Sequence, residues 1–331
     1  MSDRIRVVQM GLGPVGLRVT KYLRERARFE IVGALDVDPA KVGRDLGELE
    51  GGGPLGVTVS DDAGMLVTWN ADVVAHTTVS SVVKAEPQLL ASVKTGTSVV
   101  STCEELSYPW LTQPEVSARL DAAAKESGAR ILGTGVNPGF LMDTLPIALT
   151  APCREVKFVT VRRIQNAAFR RVPFQKKIGA GLTLEEFEAR KREGTLRHVG
   201  LTESMHMIAA RLGWELSRTE DVIEPVVAEA EIDAEGVKIA AGRAAGVMQT
   251  GRAFVGDRQV MLLEFRAAVG QDEPRDEVEL ESDPPIKSVI PGGVHGDVAT
   301  CAIVVNAIPV LLGAPPGLHT MADIPPVSCA R

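Results

Sequence analysis

The sequence predicts an α/β protein of two domains, a doubly wound parallel sheet followed by an α+β domain with a largely antiparallel sheet. Three observations favour this fold. The chain has 331 residues, which is more than a single hydrophobic core usually accommodates. Short apolar segments alternate with amphipathic segments over the first 135 residues or so. The later segments are longer and alternate apolar with polar residues, which is typical of antiparallel strands.

The elements of the first domain follow in order along the chain. Short apolar segments predict buried parallel strands at residues 5–10, 29–35, 72–77, 98–102 and 130–135. Amphipathic segments predict helices between them at residues 14–26, 82–94 and 114–127. Strands and helices that alternate in this way form βαβ units with right-handed crossovers, so one doubly wound sheet is expected.

The pattern changes after Pro146. Alternating segments predict strands at residues 155–163, 222–230, 237–243, 246–255 and 258–269. Helices are predicted at residues 181–192 and 202–212, and the acidic, proline-rich residues 271–285 predict a loop. The apolar residues 298–312 predict a helix that packs on the first domain. We therefore place the domain boundaries at residues 1–145 and 146–293, followed by a C-terminal segment at residues 294–331.

Composition excludes several classes of function. The chain has 36 Lys and Arg against 43 Asp and Glu, a net charge of -7, which argues against nucleic acid or an anionic membrane as partner. The four cysteines form no CxxC pair and have no neighbouring histidine, so neither a metal site nor a disulfide framework is expected. No signal peptide and no apolar run of about 20 residues is found. The sequence therefore predicts a cytoplasmic protein.

A glycine-rich turn lies between the first predicted strand and the first predicted helix. It fits GxGxxG, in which the glycines allow a tight turn, close approach to a pyrophosphate and close packing of helix on strand. The phosphates would lie at the helix N-terminus. The alternative is a turn that only links strand and helix. The pattern favours a Rossmann dinucleotide site with the binding residues Gly11, Leu12, Gly13, Pro14, Val15 and Gly16.

Asp36 lies 20 positions after Gly16, where the second predicted strand ends. A carboxylate there can bind the ribose hydroxyls of NAD and repel a 2′-phosphate. Lys41 and Arg44 follow closely enough to neutralise it or to bind a 2′-phosphate. The favoured interpretation of these two cations is that they solvate a helix. The predicted cofactor is therefore NAD, with NADP also accepted.

Two further strand ends carry polar side chains at the edge where open α/β sheets bind ligands. His76, Thr77, Thr78 and Ser80 are candidates for the cofactor ribose, although His76 by itself is more often a packed histidine than a functional one. Glu104 and Glu105 end the next strand, where a nicotinamide would lie and where a carboxylate can act as acid or base. The alternative is a solvated helix start.

The residues 133–140 follow the last strand of the first domain and contain three glycines and one proline. This composition predicts a shaped loop rather than a helix or strand. Asn137 in this loop offers a donor and an acceptor to the cofactor or to a substrate heteroatom. A hinge between the domains is the alternative interpretation, and both can hold.

Three segments resemble the 2,4-diaminopentanoate dehydrogenases and the native amine dehydrogenases: GTGVNPGFLMDTLP at 133–146, QKKIGAG at 175–181, and the segment 292–326. The first domain is similar to that of dihydrodipicolinate reductase. The resemblance implies reductive amination of a ketone or aldehyde with ammonia and NAD(P)H, and the reverse deamination. It also implies a homodimer built on the second-domain sheet. It places the catalytic glutamate at Glu104, with Glu105 as the alternative.

The substrate is the least determined feature. A basic cluster could bind a substrate carboxylate or could lie on a solvated or subunit-facing strand: Arg162, Arg163, Arg170, Arg171, Lys176 and Lys177. Residues near the matching segments could instead line a pocket for an uncharged chain: Asn137, Phe140, Met142, Phe169, Phe174 and Met205. The resemblance implies an Asp in diaminopentanoate dehydrogenases where this chain has Asn166. These features favour a simple amine or carbonyl substrate.

Two other functions stay open at this point. A diaminopentanoate dehydrogenase or a dihydrodipicolinate-type reductase would act on a charged substrate, but the basic histidine-rich motif of the latter is absent from the sequence. A sensor that binds NAD without chemistry would need Gly11, Gly13 and Gly16 but not Glu104.

Overall fold

A computed structural model describes residues 4–170, 172–196, 198–235 and 237–329. The chain forms two compact units. One comprises the chain up to Phe140 and from His295 onward, and the other is Leu141–Val294. Helices and strands are numbered in chain order through both units.

A parallel sheet forms the first unit. Its strands are β1 (Ile5–Met10), β2 (Phe29–Leu35), β3 (Val59–Ser60), β4 (Val73–His76), β5 (Ser98–Ser101), β6 (Arg130–Gly133) and β15 (Gly317–His319). They lie in the order β15-β6-β5-β4-β1-β2-β3, and every pairing is parallel. The order reverses between β1 and β4, and open parallel sheets bind ligands at the carboxyl edge of such a switch point.

Helices cover both faces of this sheet: α1 (Pro14–Arg24), α2 (Leu46–Glu50), α3 (Met65–Trp69), α4 (Val82–Val93), α5 (Pro114–Ser127) and α10 (Gly296–Leu312). Because side chains alternate along a strand, Val8 packs with Leu89 and Leu120 of α4 and α5, whereas Val7 packs with Val304 of α10. The doubly wound fold predicted from the sequence is therefore confirmed.

The second unit contains a mixed sheet of six strands in the order β14-β13-β7-β12-β11-β8. Its strands are β7 (Glu155–Asn166), β8 (Arg218–Val227), β11 (Ala244–Val255), β12 (Arg258–Ala268), β13 (Arg275–Asp283) and β14 (Ile286–Pro291). Only β7 and β12 pair in parallel within it. A separate hairpin joins β9 (Ile232–Ala234) to β10 (Val237–Ile239). The helices are α6 (Thr144–Leu149), α7 (Val172–Lys177), α8 (Leu184–Arg192) and α9 (Leu201–Leu212).

The prediction of a loop at residues 271–285 is wrong, because β13 lies there. The prolines that suggested a loop stand outside the ends of this strand. Its acidic side chains are compensated by cations on neighbouring strands: Glu277 lies 3.2 Å from Arg162 and 3.0 Å from Lys287. These ion pairs join residues on different strands, so a local pattern cannot reveal them.

Candidate cofactor and active site

The glycine turn has the geometry of a pyrophosphate-binding loop. Gly11 has a φ of +87°, and a Cβ there would lie 2.7 Å from the Thr77 carbonyl oxygen. A Cβ at Gly16 would overlap the Gly11 carbonyl oxygen, so only glycine lets α1 pack this closely. A Cβ at Gly13 would meet no atom within 4 Å. The backbone at Gly13 is therefore open to an approaching ligand, at the N-cap position of α1.

Asp36 follows the end of β2 and is hydrogen-bonded to the glycine turn. Its Oδ2 accepts a hydrogen bond from Leu12 N at 2.6 Å, and its Oδ1 accepts from Asp38 N at 2.9 Å. The Lys41 ammonium lies 3.3 Å from Asp36 Oδ2 and 3.2 Å from Asp38 Oδ2. The interpretation of Lys41 as a residue that solvates a helix is therefore wrong. Arg44, in contrast, is exposed.

The end of β4 forms a closed hydrogen-bond network. His76 is buried, with Nδ1 2.8 Å from Ser101 Oγ and Nε2 2.7 Å from Gln88 Oε1. Thr78 Oγ1 donates to Gln88 Oε1 at 2.7 Å and lies 2.8 Å from His76 Nε2. Burial lowers the pKa of His76 to about 4, although the Gln88 bond opposes this shift. His76 is thus a packed, neutral histidine, as the alternative interpretation expected.

The neighbouring hydroxyls also support the loop. Thr77 Oγ1 donates to the Gly11 carbonyl oxygen at 2.7 Å, and Gln9 Nε2 donates to Thr77 Oγ1 at 2.9 Å. The Ser80 carbonyl oxygen accepts from Glu105 N at 3.3 Å. The Thr77 contacts place this residue against the glycine turn, whereas the Ser80 contact joins the chain after β4 to the start of the segment after β5. Gln9, Gln88 and Ser101 were not predicted, because only the tertiary structure brings them there.

The two glutamates after β5 differ in their contacts. They begin a 3-10 helix, Glu104–Ser107. Glu105 Oε2 accepts a hydrogen bond from Val82 N, the first residue of α4, at 2.8 Å. Glu104 is partly buried, and its carbonyl oxygen accepts from Ser107 Oγ. The adjacent Cys103 thiol is buried, which raises its pKa to about 12 and makes it a poor nucleophile.

A second group of polar atoms lies in the loop after β6. Asn137 is buried, and neither its Oδ1 nor its Nδ2 has a hydrogen-bond partner within the described residues. Thr134 Oγ1 in the same loop is likewise buried without a partner there. Buried amides without partners are costly, so these atoms indicate that a polar ligand completes the site. Together with the open position at Gly13, they fit a dinucleotide.

The basic cluster of the second unit is largely occupied by internal partners. Arg162 lies 2.8 Å from Glu264, and the buried Arg163 lies 2.9 Å from Asp276. The Arg170 guanidinium stacks 4.1 Å from the Phe174 ring centroid. Lys176 and Lys177 are exposed on α7, and Arg171 lies outside the described residues. The two arginines of β7 thus have a structural role in the sheet.

The residues predicted to line an apolar pocket differ in their burial. Met205 is core, because a Cβ on Gly251 of β11 would lie 3.1 Å from its Cε. Phe169 is 66% exposed, so it is not part of the buried core. Met142 and Phe174 are buried, and Phe140 is partly buried at the end of the first unit. Asn166 Oδ1 accepts from Ala168 N at 3.0 Å, which caps a turn.

In the described part of the chain, every helix is too short or too polar to cross a lipid bilayer. Among the same residues, no group of three His, Cys, Asp or Glu side chains has the arrangement of a metal site.

Comparisons with known proteins agree with this geometry. The C-terminal domain of 2,4-diaminopentanoate dehydrogenase matches residues 140–330, and the N-terminal domain of dihydrodipicolinate reductase matches residues 5–105. A 2,4-diaminopentanoate dehydrogenase from Acetoanaerobium sticklandii is 33% identical over 98% of this chain and 94% of its own. An amine dehydrogenase from Streptomyces virginiae is 30% identical over 44% of this chain and 42% of its own.

A solved structure extends this similarity to three dimensions. The amine dehydrogenase from Mycobacterium smegmatis superposes with a TM-score of 0.86 at 29% identity, over 98% of this chain and 97% of its own. The resemblance read from the sequence is confirmed. The first unit is an NAD(P)-binding Rossmann domain, and the chain belongs to the 2,4-diaminopentanoate dehydrogenase family, whose members are oxidoreductases that act on CH–NH2 groups.

Proposed function

We propose that this protein catalyses the NAD(P)H-dependent reductive amination of a ketone or aldehyde with ammonia, and the reverse oxidative deamination of a primary amine. The observation that carries the proposal is the position of Glu104. Glu104 follows the carboxyl end of β5, in a sheet whose switch point lies beside β4. The family to which the chain belongs acts on amines. A carboxylate at that edge can serve as acid and base for a substrate amine.

Each candidate residue has a distinct role in the proposed reaction. The glycine turn and Asp36 would bind NAD as the first cofactor, with NADP also accepted, and the bound cofactor supplies or accepts the hydride. Glu104 would take a proton from ammonium or from the attacking nitrogen, and its charge would stabilise the cationic iminium. Asn137 would give its unpaired amide to the cofactor or to the substrate heteroatom. Glu105 would hold the start of α4 through Val82 N.

We propose an uncharged carbonyl substrate. Arg162 and Arg163, the two cations that could pair with a substrate carboxylate on β7, are already paired with Glu264 and Asp276. An unpaired carboxylate in an apolar site costs several kcal/mol, so such a site would discriminate strongly against a keto acid.

One observation favours a second candidate. The relative from Acetoanaerobium sticklandii is named for 2,4-diaminopentanoate and is similar over 98% of this chain. Lys176 and Lys177 also lie in the matching segment at residues 175–181, and Arg170 lies close before it. Under this alternative the substrate is a charged diamino acid, and cations of the second unit bind its carboxylate.

The test follows NADH consumption on a panel of matched carbonyl compounds. Each uncharged ketone or aldehyde is paired with its carboxylated analogue, with and without ammonia. Ammonia-dependent turnover that prefers the uncharged member supports the proposal. A strong preference for the carboxylated member, or for the oxidation of 2,4-diaminopentanoate, favours the second candidate. Turnover that does not require ammonia overturns reductive amination.

The assembly proposed with this function is a cytoplasmic homodimer. In the described part of the chain the four cysteines form no disulfide, which is compatible with a reducing compartment. Gly251 faces α9, so the alternation of β11 and its neighbours places Leu262 and Val222 on the opposite face of the sheet. Val222 is 39% exposed there, which fits an interface built on this sheet. Light scattering of the wild-type protein should give a molar mass twice that of one chain. Val222→Glu should lower the measured mass toward that of a single chain.

A further inference from the structure

The end of β2 carries one cation between two carboxylates. Lys41 Nζ lies 3.3 Å from Asp36 Oδ2 and 3.2 Å from Asp38 Oδ2. Burial opposes the protonation of this amine, but the two carboxylates outweigh it and raise the pKa of Lys41. Lys41 is therefore charged at neutral pH and offsets one of two adjacent negative charges.

Asp36 is the group on which discrimination between NAD and NADP depends. A carboxylate at this position binds ribose hydroxyls and repels a 2′-phosphate. Here it accepts a hydrogen bond from Leu12 N and shares its charge with Lys41. Since an opposite charge at this distance cancels much of its field, Asp36 repels an anion less than an unpaired carboxylate would.

Residues beside Lys41 are exposed to solvent. Residues 38–44 form a turn closed by hydrogen bonds from Lys41 N and Val42 N to the Asp38 carbonyl oxygen. The side chain of Val37 is 83% exposed. The exposed Arg44 side chain makes no hydrogen bond or ion pair with the described part of the chain. A lysine ammonium on its flexible stem can turn from a carboxylate to a nearby phosphate with little backbone movement.

We propose that Lys41 is a specificity-determining residue that makes this protein bind both cofactors. With NADH it stays paired with Asp36 and Asp38, and with NADPH it turns to pair with the 2′-phosphate. The inference rests on the proposed NAD(P)H-dependent function. It concerns only the adenosine end of the cofactor, so it can be tested without any amination.

The experiment measures the dissociation constants of NADH and NADPH from the full-length protein by cofactor fluorescence, without carbonyl compound or ammonia. Wild type should bind the two cofactors within about tenfold of each other. Lys41→Met should raise the dissociation constant of NADPH by about tenfold or more, which is the scale of one lost charge-assisted contact. It should leave the dissociation constant of NADH within about twofold of the wild-type value. Lys94→Met is the matched control. Lys94 is exposed at the end of α4, at the opposite edge of the sheet, and should leave both constants unchanged.

Three results would overturn the inference. The first is a Lys41→Met protein whose NADPH-to-NADH ratio equals that of Lys94→Met. The second is a wild-type protein that binds NADH more than about a hundredfold tighter than NADPH, as expected of an unpaired Asp36. The third is a ratio of NADPH to NADH dissociation constants that changes in Arg44→Met but not in Lys41→Met. Failure of wild type to bind either cofactor would instead refute the proposed function itself.

Discussion

His76 Nδ1 lies 2.8 Å from Ser101 Oγ, so one hydrogen bond joins the carboxyl ends of β4 and β5. Ser101 Oγ also accepts from Cys103 N at 3.0 Å. Because the amide oxygen Gln88 Oε1 can only accept, the Nε2 that faces it carries the imidazole proton and donates a hydrogen bond to it, and Nδ1 accepts from the Ser101 hydroxyl. The network thereby holds the chain that leads from β5 to Glu104, and it requires a neutral His76.

This neutral histidine makes stability depend on pH. Burial lowers the pKa of His76 from 6.5 to about 4, so between these values the unfolded chain binds a proton that the folded chain does not. The free energy of unfolding should be unaffected by His76 above pH 6.5 and should fall by roughly 3 kcal/mol as the pH drops through this window. Urea unfolding at several pH values, compared between wild type and His76→Gln, isolates this contribution. An imidazole NMR titration of His76 with a midpoint above about pH 6 would contradict it.

Substitution of Glu104 should affect catalysis, whereas the same substitution of Glu105 should have little effect on it. Glu104→Gln should lower turnover by roughly 100-fold or more while cofactor affinity stays nearly unchanged, because an acid/base group is lost. Glu105→Gln is the matched control, since the glutamine oxygen can still accept from Val82 N. Steady-state kinetics and cofactor titration of both variants provide the measurement. Wild-type turnover in Glu104→Gln, with a large loss in Glu105→Gln, would reverse the assignment.

The glycine turn offers a second matched pair. A methyl group at Gly13 meets no neighbour within 4 Å, so Gly13→Ala should fold normally but bind NADH about tenfold or more weakly. A methyl group at Gly16 would overlap the Gly11 carbonyl oxygen, and Gly16→Ala should cost about 1–3 kcal/mol of stability. Thermal unfolding and cofactor titration distinguish the two effects. Normal cofactor affinity in a folded Gly13→Ala protein would exclude the proposed pyrophosphate site.

The buried ion pair of the second unit should be important for stability. Arg163 and Asp276 lie 2.9 Å apart, and Asp276 Oδ2 also accepts from Val294 N. Burial lowers the pKa of Arg163 to about 10, so it stays charged at neutral pH. Asp276→Asn should therefore destabilise the protein by about 3 kcal/mol or more, because it leaves a buried charge uncompensated. Asp233→Asn, in the exposed pair with Lys238, should change stability by less than about 1 kcal/mol. Equal effects in denaturant unfolding would refute this difference.

Local patterns in the sequence determined the parallel sheet and the glycine turn. The bounds of β1, β2 and α5 agree with the predicted ones, because short apolar runs, helix periodicity and glycine at fixed offsets are local signals. The residues of the glycine turn and Asp36 were recognisable for the same reason. The matching segments after β6 identified the family, which composition and periodicity do not.

Only the tertiary structure decided which side chains are in contact. It placed a strand at Arg275–Asp283, where cations of other strands compensate an acidic segment. It separated Glu105, which accepts from Val82 N, from Glu104, although adjacent glutamates look alike in a sequence. It paired Lys41 with Asp36 and packed Met205 against Gly251. Each of these outcomes depends on a distance of a few ångströms between side chains, and such distances are set by the packing of whole elements rather than by the order of residues along the chain.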